Sequence, residues 1–424
     1  MTVRDQVQEA RSAARRVAIA STETKNRALR AAAALLRQRS AEVFAANEKD
    51  QSAAREAEIA QPLFKRLVVT DAKLESMATS LESVASLPDP VGTVLAKREL
   101  DTGLILEQVR VPIGVIGVIF ESRPDALLQI GSLAIKSGNA VILKGGKEAT
   151  ESNRILHTIL TEALCSTDPA FRGAVQLVET REEIATMLAM DREIDLMIPR
   201  GSNQLVKHIQ DNTRIPVLGH ADGVCHLYID ADADPDMAIA LAVDAKTQYP
   251  AVCNAIETLL VHVDAMPLLA KLKDALADVE LRGCDRTCSA IDIGPASEDD
   301  WRTEYNDMIL SIRVVDSLDG AIDHINTYGS HHSDAIVTDS DDAARRFLSE
   351  VDSSSVLWNA STRFVDGFVF GLGAEVGIST GKVHARGPVG LEGLTTTQFR
   401  VRGSGQVIAD YAQGRKHYTH RELQ

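Results

Sequence analysis

From residue 114 onward the apolar residues arrive in short unbroken runs: GVIGVIF at 114–120, AVILKGG at 140–146, AVQLV at 174–178, LMIPRG at 196–201 and IPVLG at 215–219. Between them lie stretches such as ALLQIGSLAIKSG and EEIATMLAM, whose apolar positions recur with a helical period. Strands apolar on both faces, separated by amphipathic helices, predict a parallel sheet covered on both sides. A second series of the same kind follows LGHADG at 218–223: CHLYID, ETLLVHV, ILSIRVV, DAIVTDS and SVLWN. The pattern predicts two α/β lobes with a boundary near 218–223.

Outside these series the rhythm differs. Residues 1–86 read as helical, with Ser21 and Thr22 as start signals before RALRAAAALLRQ, until LPDPVG ends the pattern. The Ala- and Arg-rich beginning is interrupted by Asp5 and Glu9 and keeps a helical period, so it predicts a folded amphipathic helix, not a targeting segment. KRELDTGLILEQVRVP predicts a hairpin about Thr102-Gly103, and TTTQFRVRGSGQV near the C-terminus has the alternation of a strand that pairs outside the second lobe. No apolar run approaches the roughly 18 residues that a membrane span requires.

Composition narrows the class. With 424 residues, 45% apolar and 25% charged, the chain has the balance of a globular protein of two or three domains. A net charge of −15 repels phosphate backbones, and no basic stripe interleaved with aromatics is present, so nucleic acid is excluded as a partner. The five cysteines are scattered and odd in number, which fits a reducing cytoplasm. Cys284 and Cys288 have no second ligand pair, and no set of residues has metal-site spacing, so no metal is expected.

Ligands of open α/β sheets bind outside the carboxyl ends of strands. Two strand ends here carry glycine: Lys144-Gly145-Gly146-Lys147 and Pro199-Arg200-Gly201-Ser202. Neither is a GxGxxG or a P-loop, and on spacing alone the first reads as a solvated turn. The stretch QYPAVCNAIETLLVH, 248–262, places Cys253 between a Tyr-Pro turn and an apolar strand. Two readings stay open from the residues: a small core thiol, or a nucleophile at the mouth of a site. Pro250, polar Asn254 and small Ala255 favour an exposed turn, where nearby amides would lower the thiol pKa.

Three segments carry a family resemblance: VPIGVIGVIFESRPDALLQIGSLAIKSGNAVILKGGKEA, YPAVCNAIETLLVH, and WNASTRFVDGFVFGLGAEVGISTGKVHARGPVGLEGLTTTQF. Over nearly its whole length the chain resembles the aldehyde dehydrogenase superfamily, and within it the γ-glutamyl phosphate reductases. The resemblance implies an α/β fold of two lobes with a small oligomerisation hairpin. Residues 1–96 and 112–221 would form an NADP-binding domain, 222–392 the catalytic domain, and 97–111 with 393–424 the oligomerisation elements. By position Cys253 matches the catalytic cysteine, Lys144 the lysine at the cofactor ribose, Gly201-Ser202 the turn by the pyrophosphate, and Glu304 the glutamate at the nicotinamide ribose. Lys147 stands where NAD-preferring members carry a glutamate, which implies NADP(H).

The departures matter as much. Val217 replaces the glutamate that activates water in hydrolytic members, and Val206 a glycine near the pyrophosphate. IFESRP replaces the segment with the oxyanion asparagine, leaving the Cys253 backbone N–H, aided by Ser122, to hold an oxyanion. Arg123, Lys382, His384 and Arg386 are candidates for the substrate phosphate or α-carboxylate, and His220 is read as a hinge residue. The implied activity is NADPH-dependent reduction of L-glutamyl 5-phosphate, supplied by a glutamate kinase, to glutamate 5-semialdehyde in proline biosynthesis. A homodimer or homotetramer in the cytoplasm is expected. The competing readings are a CoA-acylating aldehyde dehydrogenase, a Cys-His hydrolase or acyltransferase using His220 or His384 and no nicotinamide, and a purely structural nucleotide-binding protein.

Overall fold

The computed structural model describes residues 1–121, 123–220 and 222–423, without the side chains of Pro62 and Arg181. Five helices open the chain: α1 (Val3–Val17), α2 (Thr22–Gln38), α3 (Ser40–Glu56), α4 (Gln61–Leu67) and α5 (Asp71–Ser86). Thr2 and Asp5 form a reciprocal capping box on α1, and the Ser21 hydroxyl accepts from the Thr24 amide at 3.1 Å, which starts α2 where the sequence signals it.

The first lobe is built on a parallel sheet in the order β5-β4-β3-β6, with β3 at Val115–Phe120, β4 at Ala140–Lys144, β5 at Val175–Val178 and β6 at Leu196–Arg200. Along β3 the side chains alternate between two cores. Val115 and Ile119 pack with Val3, Val7 and Ala10 of α1. Ile116, Val118 and Phe120 pack with α2, α5, α6 (Pro124–Lys136) and α7 (Thr150–Thr167). Helices cover both faces, which is why these strands are apolar at nearly every position, with Gln176 and the strand-end Lys144 and Arg200 as the exceptions. IPVLG does not become a strand. It makes a single bridge, Val217 to Met197, because Pro216 has no N–H to extend the ladder.

After α8 (Arg181–Leu188) and α9 (Asn203–Asp211) the chain enters a second parallel sheet of order β10-β9-β11-β8-β7-β12-β13. Its strands are β7 (Cys225–Ile229), β8 (Ile256–His262), β9 (Glu280–Gly283), β10 (Gly294–Pro295), β11 (Ile309–Val315), β12 (Ser333–Val337) and β13 (Ser355–Trp358). The short strands β9 and β10, at one end of the sheet with β10 on the edge, carry no apolar run and were not legible in the pattern. Leu227, Leu259, Ile312 and Ala335 face one core, Tyr228, Leu260 and Ile336 the other.

Two findings alter the expected organisation. Ala374, Val376, Val389 and Leu391, expected in the second lobe, return to pack in the core of the first. The hairpin β1 (Val94–Asp101) and β2 (Leu104–Pro112) is not left unpaired within the chain. After the two-residue strands β14 (Ile378–Ser379) and β15 (Gly387–Pro388), β16 (Thr395–Arg402) adds to β2, and β17 (Arg421–Leu423) adds to β1. No helix among the described residues is long and apolar enough to cross a membrane.

Candidate active site

Cys253 sits in the turn between α10 (Pro235–Thr247) and β8. The turn is closed by the Ala255 amide donating to the Val252 carbonyl at 3.0 Å. Asn254 is buried and donates to the Val365 carbonyl at 2.9 Å, while Thr362 donates to the Asn254 carbonyl at 2.6 Å. The Cys225 thiol donates to the Cys253 carbonyl at 3.1 Å. Gly223 presses on the same carbonyl: a Cβ there would lie 2.4 Å from the Cys253 oxygen, so only glycine fits. Beneath the turn, buried Lys246 on α10 and Glu257 on β8 pair at 2.5 Å, and Glu257 also accepts the Asn306 amide at 3.2 Å. Burial pushes Glu257 up to about 7, against the pull of Lys246.

The thiol opens into a cleft of about 830 Å³ that also receives Arg123, Arg200, Gly201 and Ser202 from the first lobe, and Glu304 and Glu375. That volume is in the range of small-molecule sites. The two lobes are tied across it, since Asn203 at the start of α9 donates to Asp222 at 2.7 Å and to Glu304 at 2.9 Å.

The electrostatics reverse one expectation. Instead of being lowered, the Cys253 thiol is pushed up to about 12, first by its dense surroundings and then by the charges of Glu304 and Glu375, with Arg200 pulling the other way. The residue keeps some accessible surface, but the turn was read as more open than it is. Alkylation by iodoacetamide in the absence of ligands is therefore expected to rise about tenfold per pH unit through pH 7–10, because thiolate is the reacting form. A rate that levels off near pH 7 would show a thiolate already stabilised.

Arg200, the last residue of β6, is the cation of the cleft that the motifs did not single out. Its Nη1 is buried without a partner among the described residues. Burial, then the like charge of Arg123, lowers its pKa, while Glu375 and Cys253 raise it. His220 is not a hinge apart from the chemistry. It lines the cleft, its Nδ1–H donates to the Ile378 carbonyl at 2.9 Å, and the lone pair is left on Nε2. Burial holds its imidazole below the usual range. Against it stands the ring of His332, edge-on with centroids 4.7 Å apart.

A carboxylate already occupies the helix start where an anion would bind. Glu121 accepts from the Ser202 amide at 3.1 Å, and a Cβ on Gly201 would lie 2.7 Å from that carboxylate. Its oxygens stand in for those of a phosphate at a free helix N-terminus. The backbone at Gly201-Ser202 therefore fits a cofactor phosphate once Glu121 swings aside.

The aldehyde dehydrogenase family matches residues 1–310. The γ-glutamyl phosphate reductase of Acetivibrio thermocellus is 52% identical over 100% of this chain and 99% of its own, and that of Pelotomaculum thermopropionicum 54% over 96% and 94%. The crystal structure of the γ-glutamyl phosphate reductase from Thermotoga maritima superposes with a TM-score of 0.93 at 41% identity, covering 96% of this chain and 100% of that one. The chain belongs to the γ-glutamyl phosphate reductase family.

Of the residues that the resemblance to this reductase family marks, Cys253, Gly201, Ser202, Glu304 and Arg123 come together at the cleft. Ser122 lies outside the described residues. Lys144 and Lys147 do not line it. Lys144 ends β4 opposite Ile119, one strand from the Phe120–Arg200 pairing, so it shares the carboxyl edge of the sheet, and Lys147 is exposed just beyond. The glycines between them answer to internal packing: a Cβ on Gly145 would meet Asn153 at 2.1 Å, and one on Gly146 would meet Glu148 at 2.0 Å. Lys382 and Arg386 are engaged elsewhere, both paired with Asp352 at 2.5 and 3.0 Å, and His384 bonds the Gly393 carbonyl at 2.7 Å. None of these three lines the cleft; its cations are Arg66, Lys73, Arg123, Arg200 and Arg363, of which Arg123 and Arg200 flank the Gly201-Ser202 side of the thiol. Val206 is buried in α9 and lines the cleft, whereas Val217 packs on the core behind β6. Arg200 lay within a noted motif, but Glu375 and His332 carried no local signal, because chain segments distant in sequence deliver them.

Proposed function

We propose that this chain reduces L-glutamyl 5-phosphate to L-glutamate 5-semialdehyde with NADPH, through a thioacyl intermediate on Cys253. Membership of the family supports the coarser statement, an oxidoreductase of proline biosynthesis that acts on γ-glutamyl phosphate. The observation that carries the finer reading is the placing of Cys253 in the interlobe cleft beside Arg200 and the amides that open α9.

Cys253 Sγ attacks the acyl carbon. The S–C bond forms, the C–O bond to phosphate breaks, and the thiol proton passes to the free Nε2 of neutral His220, which offsets a thiol pKa of about 12. Arg200, with an N–H to give, balances the charge of the departing phosphate. The Gly201-Ser202 turn and Glu304 would hold NADPH, which would supply the hydride for reduction of the thioester. Reduction leaves a thiohemiacetal oxyanion, which collapses to the aldehyde as the S–C bond breaks, and His220 returns its proton to the sulfur. Exposed Lys147 beyond the Lys144 strand end supports NADPH over NADH, since a second cation there attracts a 2′-phosphate.

Deacylation distinguishes this reading from its competitors. With the semialdehyde and NADP+, NADPH formation is expected to stop at about one equivalent per active site in phosphate-free buffer, and to resume with phosphate or arsenate. Glu304 and Glu375 influence the thiol electrostatically, but one is held by Asn203 and the other accepts the Gly367 amide at 2.9 Å, so neither is poised as a base for water. Sustained oxidation without phosphate would overturn the reading. Turnover restored by CoA in its place would identify a CoA-acylating enzyme, and no absorbance change at all would favour the Cys-His hydrolase. A homodimer or homotetramer is part of the proposal: β16 leaves an open edge on which Phe399 and Val401 are 65% and 57% exposed. Five free cysteines accord with a reducing cytoplasm.

A further inference from the structure

We propose that Cys253, His220 and His332 form a three-ligand site for a divalent cation of the zinc class, and that filling it blocks the nucleophile. One ligand atom from each residue lies within 4.8 Å of the other two. Tetrahedral zinc with one sulfur and two nitrogens needs separations of about 3.6 Å, so any pair of ligand atoms has to close by at most about 1 Å. A thiolate with two imidazoles is a borderline-soft set that selects zinc or cobalt over magnesium or calcium.

The hydrogen bonds are compatible with a lone pair on each ring. His220 gives Nδ1–H to the Ile378 carbonyl at 2.9 Å, which fixes the tautomer that presents Nε2. His332 is fully buried, and its Nδ1 meets the Ser333 hydroxyl at 2.8 Å. Its Nε2 has no partner among the described residues. An orphaned nitrogen in a buried ring carries a cost that neither fold nor reaction explains, and a cation removes it. Burial keeps both rings neutral, as ligands must be. On binding, the thiol proton is released to solvent, the sulfur joins the metal, and the fourth position stays open to water. Ligands drawn from three separate segments have no spacing signature, which is why sequence concealed them.

Equilibrium dialysis of the purified chain against chelator-buffered zinc tests this, and cobalt(II) supplies a spectrum; neither readout depends on the reaction proposed above. The expected results are about one zinc per chain and a thiolate-to-cobalt charge-transfer band with the intense visible bands of a tetrahedral site. Affinity is expected to fall at least about 100-fold in Cys253→Ser, His220→Asn and His332→Asn. Wild-type affinity in either histidine variant would reduce the site to a lone thiol and overturn the proposal. If His332→Asn does not fold, His220→Asn, at the cleft surface, decides. Zinc is also expected to abolish alkylation of Cys253 reversibly with EDTA. Binding that leaves alkylation unchanged would refute the block.

Discussion

Cys253→Ser is expected to fold, to bind NADPH as the parent does, and to lose at least about 10³-fold in kcat, because a serine hydroxyl is a far weaker nucleophile than a thiolate. The substitution is nearly isosteric, and the clamps on the turn involve the backbone carbonyl of residue 253 and the side chains of Cys225, Asn254 and Thr362, which it leaves in place. The thermal midpoint should therefore stay within a few degrees of the parent. Single-turnover mixing of the variant with glutamyl phosphate should release no phosphate burst. Turnover within tenfold of the parent would remove Cys253 from the reaction.

Arg200→Leu is expected to lower kcat/KM by about 10²–10³-fold, the range seen when a donor to a developing anion is removed. That corresponds to about 3–4 kcal/mol. Arg200 is otherwise a stability liability, with a buried N–H that has no partner among the described residues, so the variant should melt no lower than the parent. A structural role for the arginine predicts the opposite sign in the melting temperature. Product inhibition by inorganic phosphate should weaken in parallel with kcat/KM. Because Arg200 draws the Cys253 pKa down, the leucine variant should also alkylate more slowly at fixed pH. Arg200→Lys should not restore activity, since an ammonium on a flexible stem lacks the fork that meets two anionic oxygens. A variant with unchanged KM, unchanged phosphate inhibition and a lower melting temperature would mark Arg200 as a purely structural ion-pair member.

Local pattern was enough for most strands of the two sheets, because a strand buried on both faces is predominantly apolar and so announces itself in one short window, even where partnered groups such as His226, Glu257 and Asp334 interrupt it. Ile116 and Val118 are apolar for one core, Val115 and Ile119 for the other, and all four are adjacent in the chain. The Ser21 cap, the hairpin at Thr102-Gly103 and the Cys253 turn are likewise short-range facts of hydrogen bonding and backbone shape. What sequence misjudged was environment. The thiol pKa was read from a turn and its amides, whereas burial and the carboxylates of Glu304 and Glu375 set it. Lys382, His384 and Arg386 looked like anion ligands by type, yet Asp352 and the Gly393 carbonyl claim them. Arg200, Glu375 and His220 meet only because a strand end, an interlobe loop and a distant segment converge on one cleft, and another distant segment sets His332 against His220. The sequence by itself determined most of the strands and helices, though not β9, β10 or the fate of IPVLG, and which thiol belongs to the family's motif. Tertiary structure alone decided which charges face that thiol, since electrostatic coupling and desolvation depend on distance through space and not along the chain.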